Sequence, residues 1–144
     1  MVAIFDIDGT LCAISEGRKQ LIKQKEWDEF HKLAEFEPVN EPVKRLLQNY
    51  EYEGATIIIN TGRPSQYRGL TKYWLAKNSI DYDTLFMRDR DDFRHSYEVK
   101  ADIADLFMDD ERIAVDDREQ DLRMYCAKGF KTIKIKGGQI NESK

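Results

Sequence analysis

The sequence predicts an α/β domain: a three-layer sandwich whose five-stranded, mostly parallel sheet carries helices on both faces. Three observations predict it. Short apolar or β-branched runs of four or five residues alternate with segments whose apolar residues recur every three or four positions. The strand-like runs are apolar throughout, as in a sheet buried on both sides. A length of 144 residues suits one domain, and a chain of this size buries about 68–70% of its unfolded surface without a disulfide or metal staple.

The elements follow in order. Val2-Ala3-Ile4-Phe5 reads as a buried strand, stopped by Asp6-Ile7-Asp8-Gly9-Thr10. From Ser15 to Glu35 the chain is highly charged, with Trp27, Phe30, Leu33 and Ala34 at helical spacing, which predicts one or two helices. Asn40 as cap, Pro42 in the first turn, and Val43, Leu46, Leu47 and Tyr50 at i, i+3, i+4 and i+7 predict an amphipathic helix. Ala55-Thr56-Ile57-Ile58-Ile59 is a β-branched strand. Leu70, Tyr73 and Trp74 mark a helix, Thr84-Leu85-Phe86-Met87 a strand, and Val99, Ile103, Leu106 and Phe107 another helix. Arg112-Ile113-Ala114-Val115 is a strand, Leu122, Tyr125 and Cys126 a helix ended by Gly129, and Thr132-Ile133-Lys134-Ile135 the last strand. Residues 1–136 form the expected domain, and 137–144 a flexible tail.

Open sheets of this kind bind ligands beyond the carboxyl ends of their strands, where the strand order switches. Asp6 and Asp8 follow the first strand directly, and a spacing of two in extended chain aims both carboxylates to one side. Thr61-Gly62-Arg63-Pro64 follows the second strand and Asp116-Asp117-Arg118 the fourth. Lys100 begins a helix after a loop carrying Arg88, Arg90 and Arg94. Three strand ends thus deliver four carboxylates, a hydroxyl and a guanidinium to one edge. Like charges ~4 Å apart repel by about 4 kcal/mol at an effective dielectric of ~20, so a cation belongs among them. An oxygen-rich set without nearby His or Cys suits Mg²⁺. With Lys100 and Arg63, such an ion would bind and polarise a phosphoryl group.

Taken singly, each piece has an ordinary reading. Asp-x-Asp-Gly-Thr is a turn with polar exits, and it overlaps the start of a calcium loop but lacks the later Asp/Asn and Glu. Thr61-Gly62-Arg63-Pro64 alone reads as a turn, and Lys100 alone as one surface charge among 23 basic residues. The joint placement, each at its own strand end or helix start, is what is specific.

Composition limits the partners. Charged residues make up 35% of the chain, against a usual ~25%. The balance of 23 Lys and Arg against 27 Asp and Glu gives a net charge of -4. That argues against extended nucleic-acid binding, which shows a basic excess. No run approaches the ~18 apolar residues of a membrane span. Cys12 and Cys126 are expected to be reduced thiols, and the N-terminus carries no targeting segment, so the expected location is cytoplasmic.

Together the motifs resemble the haloacid dehalogenase superfamily, whose signature is an apolar strand leading into Asp-x-Asp-Gly-Thr. All four of its motifs are matched, in Asp6-Ile7-Asp8-Gly9-Thr10-Leu11, Thr61, Lys100 and Asp116-Asp117, over Val2 to about Ile135. The chain is most similar to the 3′-phosphatase domain of bacteriophage polynucleotide kinase and its stand-alone relatives, in Thr61-Gly62-Arg63-Pro64, Leu70-Thr71-Lys72-Tyr73-Trp74-Leu75 and Val115-Asp116-Asp117-Arg118. One departure is Ser96, four residues before Lys100, where that subfamily often carries Asp. No Gly-x-x-x-x-Gly-Lys-Ser/Thr loop occurs in the sequence, so kinase activity is not expected of it.

The resemblance implies a Rossmann-like phosphatase domain that uses Mg²⁺. Asp6 would be the nucleophile, forming an aspartyl-phosphate, and Asp8 the general acid and then base. Asp6, the backbone carbonyl of Asp8, Asp116 and Asp117 would hold the metal. Thr61, Gly62, Arg63 and Lys100 would bind the substrate phosphoryl group. The substrate would be a nucleic-acid 3′-phosphate or a nucleotide, with a 5′-nucleotidase or other small-molecule phosphatase as the alternative. A receiver-like signalling domain would carry its phosphorylated Asp after the third strand, where Met87-Arg88 stands. A non-catalytic phosphate-binding module would not need all four motifs.

About 30 residues separate Leu11 from Val43, enough for a small helical cap over about 15–37. Trp27, Phe30 and Phe36 are expected to pack in its core. Tyr67, Arg68 and Arg94 are expected near the site edge, and His31 and His95 at the surface.

Overall fold

The computed structural model describes residues 1–141. Its sheet has six strands: β1 (Val2–Phe5), β2 (Thr56–Pro64), β3 (Thr84–Arg88), β4 (Arg112–Asp116), β5 (Lys131–Lys136) and β6 (Gln139–Ile140). Their order is β3-β2-β1-β4-β5-β6, parallel except for the β5–β6 pair. The sixth strand corrects the expected count of five. It also corrects the flexible tail, whose first residues form a hairpin: Gly137 and Gly138 both have positive φ (57° and 76°), as a two-residue turn between antiparallel strands requires. The remainder of that expected tail, residues 142–144, lies outside the described residues.

The helices among the described residues are α1 (Glu16–Lys23), α2 (Trp27–Leu33), α3 (Glu41–Tyr52), α4 (Arg68–Lys77), α5 (Ser96–Ala104) and α6 (Glu119–Ala127). Side chains of β1 alternate between two cores, as the period-two geometry of a strand demands. Ala3 and Phe5 join Val43 and Leu47 of α3 and Trp74 and Leu75 of α4, while Val2 and Ile4 join Ala104 of α5 and Tyr125 of α6. α5 ends at Ala104, one turn earlier than expected, leaving Leu106 exposed. Asn40 precedes α3 but makes no side-chain cap there; its Nδ2 instead donates to the Thr10 carbonyl at 2.7 Å, tying α3 to the turn after β1.

α1, α2 and a 3₁₀ turn over Ala34–Phe36 fill the segment between β1 and α3. The Ser15 hydroxyl caps α1, accepting from the Arg18 N–H at 3.3 Å. Of the three aromatics expected in the core of this segment, Phe30 is buried, while Trp27 and Phe36 are 45% and 73% exposed. No helix among the described residues is long and apolar enough to cross a membrane.

Candidate active site

β1 lies in the middle of the sheet, with β2 on one side and β4 on the other, so the chain reverses its direction of winding at this strand. Phe5 is in register with Ile59 and Val115. Asp6 therefore leaves the sheet beside Asp116, and its N–H donates to the Val115 carbonyl at 3.1 Å. This is the topological switch point, at the carboxyl ends of the strands.

Regular strand stops at Phe5, and the next residues form a tight turn. Thr10 and Cys12 N–H groups donate to the Ile7 carbonyl at 3.0 and 2.9 Å, and the Gly9 N–H donates to the Cys12 carbonyl at 2.8 Å. Gly9 sits at φ +84°, and a Cβ there would lie 2.2 Å from Asp117 Oδ2, so only glycine admits the Asp117 carboxylate to this place. The turn corrects the expectation that Asp6 and Asp8 aim at one point. Their carboxylates enter two separate networks.

The first network surrounds Lys100, 1% exposed, on α5. Its ammonium donates to Asp6 Oδ1 at 3.0 Å, Asp116 Oδ2 at 2.7 Å and Asp121 Oδ2 at 2.9 Å. Burial alone would lower the Lys100 pKa, but the charges of Asp116, Asp6 and Asp121 outweigh it and hold the group well above the ordinary lysine value. Asp116 Oδ1 also accepts from the N–H groups of Asp117 and Arg118 at 2.8 and 3.1 Å. The Thr10 hydroxyl lies 3.1 Å from Asp6 Oδ2 and 3.2 Å from Asp117 Oδ1, and its one proton serves either carboxylate. Burial and the neighbouring Asp6 charge push both Asp116 and Asp117 above the ordinary carboxylate range.

The second network holds Asp8. Arg63 Nε and Nη2 donate to its two oxygens at 2.8 Å each, and Arg18 Nη2 adds a bond at 2.9 Å. Burial by itself would raise the Asp8 pKa; Arg63 and then Arg18 reverse this and hold it well below the usual range. Arg63 is 1% exposed, and its remaining Nη1 donates to the Thr71 hydroxyl at 3.1 Å. The side-chain bonds of the Arg63 guanidinium thus run to Asp8 and Thr71. Arg18, 2% exposed, is fixed by donating to the carbonyls of Phe30 and Ala13 and to Glu37, and lies over the Phe30 ring at 4.1 Å.

The first network fits a divalent ion. Asp6, Asp116 and Asp117 each offer a carboxylate oxygen within 4.8 Å of the others, an all-oxygen set suited to Mg²⁺. The Asp8 side chain is engaged with arginines, leaving only its backbone carbonyl for such an ion. The backbone bonds of the turn run to Ile7 and Cys12, not to that carbonyl.

Other expected residues fall in varied places. Thr61 is 2% exposed and lies inside β2, which runs on to Pro64 through a register shift rather than ending at Ile59. Its hydroxyl accepts from the Arg63 N–H at 3.1 Å and keeps its own proton to donate. The Gly62 carbonyl accepts from Arg88 Nε at 2.9 Å. Arg88 also donates to the carbonyls of Asp92 and Arg94, so one guanidinium fixes the β3–α5 loop. Arg94 is paired with Asp92 and Asp102. The Tyr67 hydroxyl donates to Asp28 at 2.6 Å, joining α2 to the 3₁₀ turn over Ser65–Tyr67. His95 is exposed as expected, but His31 is buried against the Tyr67 ring, with centroids 4.7 Å apart, and burial pulls its pKa down to about 4.

Sequence reasoning missed four residues. Arg18 and Asp121 had no distinguishing signal, each being one charge among many on an exposed-looking helix. Asn60 fell between the expected strand and the Thr61 motif, and Tyr125 read as an ordinary helix position; in the structure Asn60 Nδ2 donates to the Lys100 carbonyl at 3.3 Å and to the Tyr125 hydroxyl at 2.9 Å.

Comparison with known proteins identifies the family and the fold. The pattern of the polynucleotide kinase PNKP phosphatase domain family matches residues 1–140. A chain of the Pnkp1/Rnl/Hen1 RNA repair complex superposes with a TM-score of 0.78 at 28% identity, over 93% of this chain and 42% of that one. This sequence therefore spans less than half of that relative. A haloacid dehalogenase superfamily hydrolase from Ehrlichia chaffeensis superposes with a TM-score of 0.62 at 15% identity, over 96% of this chain and 88% of that one, a likeness of fold. No curated protein matches the sequence.

Proposed function

The chain belongs to the polynucleotide kinase PNKP phosphatase domain family, within the haloacid dehalogenase superfamily, and from this premise we propose that it is a Mg²⁺-dependent phosphomonoesterase that removes 3′-phosphate from nucleic-acid ends. The observation that carries the reading is the division of two carboxylates, two residues apart, into opposite environments. Asp6 faces a lysine and two further carboxylates, while Asp8 is gripped by two arginines. Such a division assigns different chemical roles to neighbouring acids.

Asp6 attacks phosphorus in line and forms an aspartyl-phosphate, while the leaving alkoxide takes a proton from Asp8. Asp8 then removes a proton from the attacking water, the water oxygen bonds to phosphorus, and the Asp6–phosphorus bond breaks. The two arginines favour the anionic form of Asp8, which suits the second step. For the first, Asp8 must acquire its proton when substrate enters. The negative charge of the incoming phosphate raises the affinity of Asp8 for that proton, which the solvent supplies. Lys100 neutralises charge on Asp6 and on the transferred group, and the free Thr61 proton bonds a phosphoryl oxygen. Arg63 and Arg18 keep Asp8 aimed. A magnesium ion held by Asp6, Asp116, Asp117 and the Asp8 carbonyl supplies further charge neutralisation when bound.

A nucleic-acid end is supported by the similarity to the RNA repair complex chain and by the modest size of the α1–α2 cover. The test is Mg²⁺-dependent phosphate release from 3′-phosphorylated oligonucleotides, 5′-phosphorylated oligonucleotides, nucleoside monophosphates and an aryl phosphate. Preference for the first supports the proposal. Release from nucleoside monophosphates alone replaces it with a nucleotidase, and release from none ends the enzymatic reading.

A further inference from the structure

The geometry points to Asp121 as a positioning residue that aims Lys100 during phosphoryl transfer, an inference resting on the role proposed above for Lys100. A lysine ammonium has three N–H donors. Here all three are used, and all by carboxylates: Asp6 at 3.0 Å, Asp116 at 2.7 Å and Asp121 at 2.9 Å. Two of these acceptors belong to the set that fits a divalent ion, whereas Asp121 does not. Its hold on Lys100 is therefore independent of the ion and of the covalent change at Asp6.

Asp121 is itself fixed. It is 1% exposed, stands in the first turn of α6, where the helix dipole favours an anion, and accepts a second bond from the Ser96 hydroxyl at 3.0 Å. Ser96 opens α5 one turn before Lys100, so both residues address the same oxygen, Asp121 Oδ2, from one helix. A further buried carboxylate beside a site for anionic substrate works against substrate binding, so packing alone does not account for it. As the third leg of a tripod it removes the freedom of the ammonium to swing away from Asp6. A carboxylate at position 96 would reach the same ammonium from the i, i+4 position.

The experiment compares Asp121→Asn, Asp121→Ala and the double variant Asp121→Ala with Ser96→Asp. Each is assayed on the best wild-type substrate across Mg²⁺ concentrations, with Tm measured alongside. In Asp121→Asn, which keeps the shape of the side chain, kcat is expected to fall about 10- to 100-fold, the usual cost of losing a group that orients a functional one. KM and the Mg²⁺ midpoint should stay near the wild-type values. Ser96→Asp is expected to restore much of the kcat lost in Asp121→Ala. An unchanged kcat in Asp121→Asn overturns the inference. A Mg²⁺ midpoint that rises in step with the loss of activity overturns it in favour of a metal-ligand role. A fall in Tm and activity that Ser96→Asp does not reverse overturns it in favour of a structural one. Absence of phosphatase activity in the wild-type protein would instead count against the proposed function.

Discussion

Replacing Arg63 by Gln separates two accounts of this arginine. In the structure it donates two 2.8 Å bonds to Asp8 from a fully buried position, while Arg18 supplies a third at 2.9 Å. Removing one member of a buried ion pair costs about 3–5 kcal/mol because the other charge is left uncompensated. Arg18 remains here, so the lower end, about 3 kcal/mol, is expected at pH 7. For a chain of this size that corresponds to a fall in Tm of about 10 °C. The sign of the pH dependence follows from Asp8. Its folded pKa is depressed, so the stabilisation is present above the unfolded value of about 3.9 and is lost as pH falls through the folded one. The difference between wild type and variant should therefore be constant from pH 8 to about 5 and shrink below about 4. Urea denaturation at a series of pH values measures it. Activity should fall about 100-fold or more, through kcat, because Asp8 loses its aim. A variant with wild-type stability but a raised KM and weakened inhibition by inorganic phosphate would refute the clamp and restore the phosphate-contact role.

Asp6→Asn should abolish turnover, whereas Asp8→Asn should leave a slowly hydrolysed phosphoenzyme, seen by mass spectrometry as a phosphate adduct on the peptide containing Asp6. Gly9→Ala forces a Cβ to within 2.2 Å of Asp117 Oδ2, so the Mg²⁺ concentration for half-activation should rise about 10-fold or more, measured by metal titration of the rate. Burial and the Asp6 charge make Asp116 and Asp117 bind protons more tightly, in spite of Lys100. Mg²⁺ binding near neutral pH should therefore release protons, detectable by calorimetry in buffers of different ionisation enthalpy. For the same reason, metal-free protein should lose stability as pH rises from about 4 upward through the raised folded values, and saturating Mg²⁺ should flatten that slope in urea denaturation curves.

Much of this architecture is legible because its strands announce themselves. Val2–Phe5 and Arg112–Asp116 are short apolar runs cut off by aspartates, and both stand next to each other in the sheet. What the sequence hides is conformation after the strand. Period-two reasoning extends Asp6 and Asp8 along a strand that has already ended, and the hydrogen bonds around Ile7 and Cys12 turn the two carboxylates into different neighbourhoods. The hairpin at Gly137-Gly138 was hidden differently, by its position in what composition reads as a tail. Arg18 lies on a helix with one buried residue, itself, and no periodic pattern distinguishes a charge that points inward from one that points out.

The net charge of -4 is the aspect of the sequence most altered by the structure. The acidic excess equals the number of the candidate carboxylates Asp6, Asp8, Asp116 and Asp117, and three basic residues meet them, or Asp121, from buried positions: Lys100, Arg63 and Arg18. The two arginines are therefore engaged within the protein. Arg63 and Arg18 are neutralised by Asp8 and Glu37. Lys100 is outnumbered by the carboxylates around it. Under the proposed function, a site so balanced would repel an anion until a divalent cation entered, and Asp6, Asp116 and Asp117 form a set that could accept one. On this reasoning metal and phosphate binding are coupled, each favouring the other. A protein of this composition would then recognise one terminal phosphate at its ion, with little attraction for a long phosphate backbone.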